Sequence, residues 1–416
     1  MSVFKTQAWK DAVDKVNYDE NLVPEREIPS VLTKADGSKV ANAWEWMSVR
    51  RPEVLDFYTR EVYGEFPPRP EEMTSEIVNV KNDALDNTAI RKEIKVTFRQ
   101  GNLSHSLMML VYIPKEAPGK VPVFLGLNFK GNHATTDEAD VLETGRDTDG
   151  NLVETSRGVQ CERWEFKKAV VRGFAVATCC YHDIFPDFPT DEAWRQSIYR
   201  IFYPEMIPAE LNKKHSAIGA WAWGLSRMLD VLEGEKLIDC RRAGVCGHSR
   251  LGKTSLWCGA NDLRFQVVAS NDSGHGGSTL FKRNLGESIR ILNMAFPHWF
   301  VSGFEQYNDK DADLPFDQNF LMALIAPRML CIGSATEDLW ADPKGEFLAG
   351  VYASEVYRLF GVPGMPVTEH PAADINVTGE ISYHMRTGVH NILWQDWDHY
   401  FEAAEKFFGI KPDRCI

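Results

Sequence analysis

No apolar run in this chain reaches the roughly 18 residues that a bilayer crossing requires. The longest candidates, around Ala169–Tyr181 and Phe320–Gly333, are cut by Arg172 and Arg328. Excess positive charge is missing too. Acidic residues outnumber basic ones 59 to 46, a net charge of −13, and a field of that sign repels phosphate backbones and anionic lipid. Nucleic acid and membrane surfaces are therefore not expected partners. The eight cysteines show neither metal-ligand spacing nor the density of a disulfide scaffold, and Cys246, Cys258 and Cys331 sit in apolar patterns that suit buried free thiols. Adjacent Cys179 and Cys180 cannot easily bridge each other. The opening residues, Met1 to Lys10, lack the apolar core of a signal peptide, which fits a cytoplasmic protein or a mature chain carrying an added Met.

Metal motifs are absent as well. There is no His-Glu-x-x-His and no Cys-x-x-Cys. The run Asp147-Thr148-Asp149-Gly150-Asn151 resembles a calcium loop, but Leu152 and Gly158 stand where its Gly and Glu are required. Asp309, Asp311 and Asp313 fail the same test. No metal and no cofactor are expected.

What the chain does have, over 416 residues of ordinary globular composition, is a change of rhythm. Residues 1–75 read as an irregular arm with one helix-like stretch, Arg51–Tyr63, closed by the Pro-rich Phe66–Glu71. Ile90–Phe98 and Leu107–Ile113, joined by a turn at Gly101-Asn102, read as an antiparallel pair. From Val121 onward, short apolar runs without alternation are separated by helical stretches: Val121–Leu127, Phe174–Cys180, Ala243–Cys246, Gln266–Ala269 and Met329–Ile332. That pattern predicts a mixed, mostly parallel sheet covered on both faces, a three-layer αβα sandwich formed by residues 76–416. Residues 137–165 are polar and aperiodic, and read as a surface insertion beside the site.

The chemistry concentrates in Ala243-Gly-Val-Cys-Gly-His-Ser-Arg-Leu-Gly-Lys-Thr254. An apolar strand ends at Cys246, and Gly247-His248-Ser249 turns into a helix. A serine on such a turn is a nucleophile elbow, exposed above the sheet with helix N–H groups beneath it. The second glycine of the usual Gly-x-Ser-x-Gly comes one residue late, as Gly252. The same residues also fit a phosphate-binding loop, Gly247 to Thr254. Their position past mid-chain, the negative charge and the lack of an acidic magnesium strand argue against that reading. A serine nucleophile needs a base and an acid, in the chain order Ser, Asp or Glu, His. His390, in the loop before the last helix, is the expected base. His384 could instead line the pocket, and His399 falls within the helix. Two acids compete: Asp338 after the strand at 329 and Asp272 after the strand at 266.

Several stretches together resemble a bacterial glucuronoyl esterase of carbohydrate esterase family 15: Asn17-Tyr-Asp-Glu, Arg50-Arg-Pro-Glu, Tyr63-Gly, Gly126-Leu-Asn-Phe-Lys-Gly-Asn-His133, Ser270-Asn-Asp-Ser-Gly-His-Gly-Gly277, Gly286-Glu, Glu337-Asp-Leu-Trp-Ala-Asp-Pro343 and Arg386-Thr-Gly-Val-His390. The resemblance implies an α/β-hydrolase fold, Ser249 as nucleophile, His390 as base and Arg250 at the oxyanion. It implies Lys253 and Glu287 on glucuronoyl hydroxyls, with Trp340 against the sugar. The plainer alternatives are a solvated helix face for Lys253 and Glu287 and a core position for Trp340. Fungal relatives carry Glu where this chain has Asp272, and one methylene less draws the carboxylate back by about 1.5 Å. That favours Asp338 as the acid. His248 and Asn391 occupy the positions of a fungal disulfide. The implied substrate is a plant cell-wall ester of glucuronic or 4-O-methyl-glucuronic acid, cleaved by a secreted or periplasmic monomer. The rivals are an acetyl-xylan or other short-chain carbohydrate esterase and an inactive carbohydrate-binding protein.

Overall fold

Strands without alternation form where both faces of a sheet are covered, because every side chain then meets apolar neighbours. The computed structural model, which describes residues 6–410, shows this residue by residue. In the strand Val121–Asn128, Val123, Leu125 and Leu127 join one core cluster while Phe124 joins the other. Val245 and Cys246 divide the same way, as do Ile332 and Cys331. The period of two thus separates two cores, one on each side of the sheet.

Among the described residues, nine strands make one sheet in the order β1-β2-β3-β5-β4-β6-β7-β8-β9. They are β1 (Glu72–Asp83), β2 (Ala89–Gln100), β3 (Leu103–Pro114), β4 (Val121–Asn128), β5 (Ala175–Cys180), β6 (Ile238–His248), β7 (Phe265–Asn271), β8 (Met329–Ala335) and β9 (Ile381–Arg386). Pairing is antiparallel from β1 through β3 to β5, and parallel from β5 to β9. The sequence pattern gives no sign of β1. It is an edge strand exposed along most of its length, so no buried face disciplines its composition. The register slips between Ile77 and Asn79, which bends it further.

The helices α1 (Arg51–Tyr58), α2 (Ala217–Leu232), α3 (Arg250–Asn261), α4 (Pro343–Leu359) and α5 (Trp394–Phe408) frame the sheet. α2 is buried nearly all round and packs on α3, and Ser216 caps its start by accepting from the Gly219 N–H at 3.0 Å. α5 covers the opposite face through Trp397 and Phe401. The helix-like stretch expected at 51–63 is α1 followed by a wider five-residue turn, Thr59–Tyr63.

The N-terminal residues bear directly on α3. The Tyr63 ring lies 4.8 Å from Trp257 of α3, and its hydroxyl donates to Gly276 O at 2.9 Å. At the far end of α3, Arg51 donates to Ala260 O at 2.6 Å and Arg328 donates to Gly259 O at 2.7 Å. Two guanidinium groups therefore satisfy carbonyls that a helix C-terminus leaves unpaired, and their charge suits its dipole. Among the described residues, no helix is long and apolar enough to cross a membrane.

Candidate active site

The turn between β6 and α3 places Ser249 in a backbone conformation that side chains rarely adopt, φ 58° and ψ −128°. Two contacts hold it there. The Ser249 N–H donates to Asn271 O of β7 at 2.8 Å, and the Gly252 N–H donates back to Ser249 O at 2.8 Å. Gly247 must lack a side chain, since a Cβ there would come within 2.0 Å of Leu251 O. Gly252 lets α3 approach the next loop, where a Cβ would meet Ser273 Cβ at 2.8 Å. The late second glycine thus serves helix packing. Ser249 stands as the N-cap of α3, beside N–H groups that have no carbonyl partner within the helix.

Ser249, Arg250 and His390 line one cleft of about 700 Å³. Asp147, Leu152, Val153, Gln160 and Arg163, from the stretch between β4 and β5, contribute to its wall. Asp147 also closes its own turn, accepting from the N–H groups of Asp149 and Asn151, both at 2.9 Å.

His390 is half open to solvent, its side chain 43% exposed, whereas Asp338 is buried. The His390 Nδ1–H donates to Asp338 Oδ2 at 2.6 Å, which leaves Nε2 as the free ring nitrogen. Asp272 lies close by: oxygens of both carboxylates and a nitrogen of His390 fall within 4.8 Å of one another. Its own hydrogen bond, however, comes from the Asn391 N–H at 3.3 Å. Burial pushes the Asp272 carboxyl well up, the charges of Glu346, Asp338 and Asp396 add to that, and Arg386 opposes it. His248 fills the space beside them, 4.5 Å from the His390 ring, and burial holds it well below the ordinary histidine range. His384 does not line the cleft. It is buried and donates through Nε2 to Asp396 at 2.8 Å, its ring 4.3 Å from that of His399 and tilted to it by 43°.

Lys253 and Glu287 are both buried rather than on a solvated face, and Trp340 is half-buried rather than in the core. They fall outside the lining of the cleft. The Lys253 ammonium donates to Ser273 O at 2.5 Å, which removes it from the phosphate-facing position of a nucleotide loop. Burial pushes Lys253 down and Glu287 up, and each opposes the other's shift by its charge. The Glu287 N–H donates to Trp340 O at 3.1 Å, so the pair and the ring share one scaffold.

The sequence pattern misses a hub at Asp187. This buried carboxylate accepts from Arg250, from His298 Nε2 and Trp299 Nε1 at 2.7 Å each, and from the Tyr181 hydroxyl at 2.9 Å. Burial works against its charge, yet Arg250 and these donors hold it well below the usual range. The Arg250 guanidinium lies 4.5 Å over the Trp299 ring, which fixes its plane. The available signal is an acid between Pro186 and Pro189, in the loop after a parallel strand where functional residues gather. Behind the acids, Glu346 accepts from the Gly274 N–H at 2.9 Å and from the hydroxyls of Ser278 and Ser334 at 2.5 Å. Burial pushes its carboxyl up to about 7.

Comparisons with known proteins show the family and the fold. A family model described as "Glucuronyl esterase, fungi" matches residues 175–361. A carbohydrate esterase from an unidentified prokaryote is 42% identical over 399 residues, spanning 94% of this chain and 91% of its own. A solved promiscuous CE15 esterase from a marine bacterial metagenome shares 40% identity over 94% of this chain and 100% of its own, with a TM-score of 0.85. The glucuronoyl esterase of Solibacter usitatus shares 38% identity over the same shares, with a TM-score of 0.88. The fold is the α/β-hydrolase fold expected from the sequence.

Asp187→Asn, which keeps an acceptor but loses the charge that fixes Arg250, should lower kcat on an ester by about tenfold to a hundredfold with the fold intact by circular dichroism. An unchanged kcat would contradict a positioning role. Glu346 yields a pH-dependent test. Its folded carboxyl, at about 7 against 4.5 for the free group, still holds a proton that the unfolded chain has released, so stability falls as pH rises through that window. The full penalty, on the order of 3 kcal/mol, applies above it. Glu346→Gln should therefore gain stability relative to wild type between pH 5 and pH 8 in urea unfolding. An equal difference at both pH values would refute this.

Proposed function

Because the chain belongs to carbohydrate esterase family 15, the glucuronoyl esterases, we propose that it hydrolyses esters of glucuronic and 4-O-methyl-glucuronic acid in plant cell-wall material, through an acyl-enzyme on Ser249. The observation that carries this is the 2.6 Å bond from His390 to Asp338 in the cleft that also holds the strained Ser249.

In this reading the Ser249 Oγ attacks the carbonyl carbon of the sugar's ester and passes its proton to His390 Nε2. Asp338 holds the imidazole in the tautomer that can accept that proton, and stabilises the imidazolium. Negative charge developing on the carbonyl oxygen meets the Arg250 N–H, the N-terminus of α3 and the Arg250 guanidinium. His390 then protonates the departing alcohol, a lignin-type alcohol in the wall. Water, deprotonated by the same imidazole, releases the acid. Asp272, held up by burial, serves as a reserve acid rather than the partner of the imidazole.

Lys253 offers three donors and Glu287 only acceptors, which suits adjacent ring hydroxyls, and Trp340 packs against the sugar. A buried pair of this kind has no use in a pocket for acetate. A relative from Schizophyllum commune, named a 4-O-methyl-glucuronoyl methylesterase, is 33% identical over 157 residues, 36% of this chain and 40% of its own. We place the substrate in glucuronoxylan and its lignin-carbohydrate esters, which puts the enzyme in the periplasm or outside the cell, acting as a monomer.

The test compares alcohol release from benzyl glucuronate with acetate release from acetylated xylan. The wild type should strongly prefer the glucuronate ester. Lys253→Ala and Glu287→Ala should each reduce kcat/KM on benzyl glucuronate at least about tenfold more than on 4-nitrophenyl acetate, the effect of one charge-assisted hydrogen bond. Equal losses on both substrates would assign the two residues to the fold or the triad.

A further inference from the structure

Tyr18 lies on the N-terminal arm, far in sequence from every residue of the site, yet its ring sits 6.4 Å from that of Trp340 at an angle of 32°. It is 45% exposed, and Trp340 is half-buried, so each ring keeps surface free of protein. Rings at that spacing and tilt are splayed rather than stacked on each other, which leaves apolar faces for a third group.

The arm holds the ring firmly from both sides. On one side, Asn17 O accepts from the Gly286 N–H at 2.9 Å, the residue just before Glu287. Gly286, at φ 77°, also packs directly against the Trp340 backbone, since a Cβ there would come within 2.3 Å of Trp340 O. On the other, Glu20 accepts from Arg283 and from Lys344, both at 2.6 Å. Between them the Asp19 N–H donates to Asn17 Oδ1 at 2.9 Å. An exposed ion pair contributes little alone, but ties on both sides of one residue fix its position before any ligand arrives. The Tyr18 hydroxyl is pushed up by partial burial and by the Glu287 carboxylate.

We propose that Tyr18 is a specificity-determining residue: with Trp340 it forms an aromatic wall that receives the sugar to which the glucuronoyl group is attached. This inference rests on the glucuronoyl esterase reading and extends it along the polymer. The glucuronoyl ring bears its ester at one position and its glycosidic link at another. With ring hydroxyls at Lys253 and Glu287 and the sugar against Trp340, the neighbouring Tyr18 ring is the next aromatic surface beside it. Pyranose C–H faces pack on aromatic faces, and a prepositioned pair binds them at low entropic cost.

The experiment measures kcat and KM for wild type, Tyr18→Ala and Tyr18→Phe on benzyl glucuronate and on the methyl ester of a 4-O-methyl-glucuronoyl xylotriose, with 4-nitrophenyl acetate reporting on the triad. Tyr18→Ala should raise KM for the xylotriose ester about tenfold more than for benzyl glucuronate, with kcat unchanged. Tyr18→Phe should retain most of the wild-type preference, and Glu20→Gln, which loosens the arm but spares the ring, should move KM the same way by less. Equal KM changes on both glucuronate esters, or no change on either, would overturn the proposal. A parallel loss on 4-nitrophenyl acetate would overturn it as well, by showing a structural role. A wild type inactive on benzyl glucuronate would instead refute the underlying reading.

Discussion

The backbone strain at Ser249 is the constraint on which the remaining structure depends. A non-glycine residue at φ 58° and ψ −128° persists only where its surroundings overdetermine it. Here β6 supplies the incoming chain, β7 accepts the Ser249 N–H, and Gly247 and Gly252 remove the side chains that would block the turn. α3 continues from that turn. Its far end is neutralised by Arg51 and Arg328, and its flank is packed by Tyr63 from the N-terminal region. The long arm before the sheet is therefore a brace for the helix that begins at Ser249.

The second organising feature is the handling of charge. Asp272, Asp338, Glu346 and Asp396 crowd behind one histidine, and four ionised carboxylates at such short range would repel one another strongly. The structure separates their roles. Asp338 faces His390, and Asp396 is paired with His384 and Arg386. Burial keeps Asp272 and Glu346 toward their neutral forms. Across the cleft, Asp187 is the opposite case, a buried carboxylate kept ionised by a guanidinium and three further donors. These are local arrangements, and the net charge of the chain carries no information about them.

How much of this is legible in the sequence follows from where each signal originates. The central strands are readable because burial on both faces forces continuous apolar runs, as in β4 and β8. β1 is unreadable because an exposed edge imposes no such demand. The elbow is readable because turn, strand and helix are contiguous in the chain. The Asp187 hub joins residues 181, 187, 250, 298 and 299, and no local pattern links them. Position alone does not separate the two candidate acids, since each follows one of two adjacent parallel strands, and only the shorter side chain at Asp272, where fungal relatives carry Glu, favours Asp338 in the sequence. The geometry points the same way, because Asp338 lies at hydrogen-bond distance from the imidazole, while the Asp272 carboxylate accepts from the Asn391 N–H.

The central claim is that Asp338 orients His390 for proton transfer from Ser249 while Asp272 stands by. The most direct measurement is kcat on benzyl glucuronate for Asp338→Asn and Asp272→Asn, with both variants folded. The account predicts a loss of up to about 10⁴-fold for Asp338→Asn, as when a triad acid is replaced by its amide, and only about tenfold for Asp272→Asn. A larger loss in Asp272→Asn than in Asp338→Asn would contradict it.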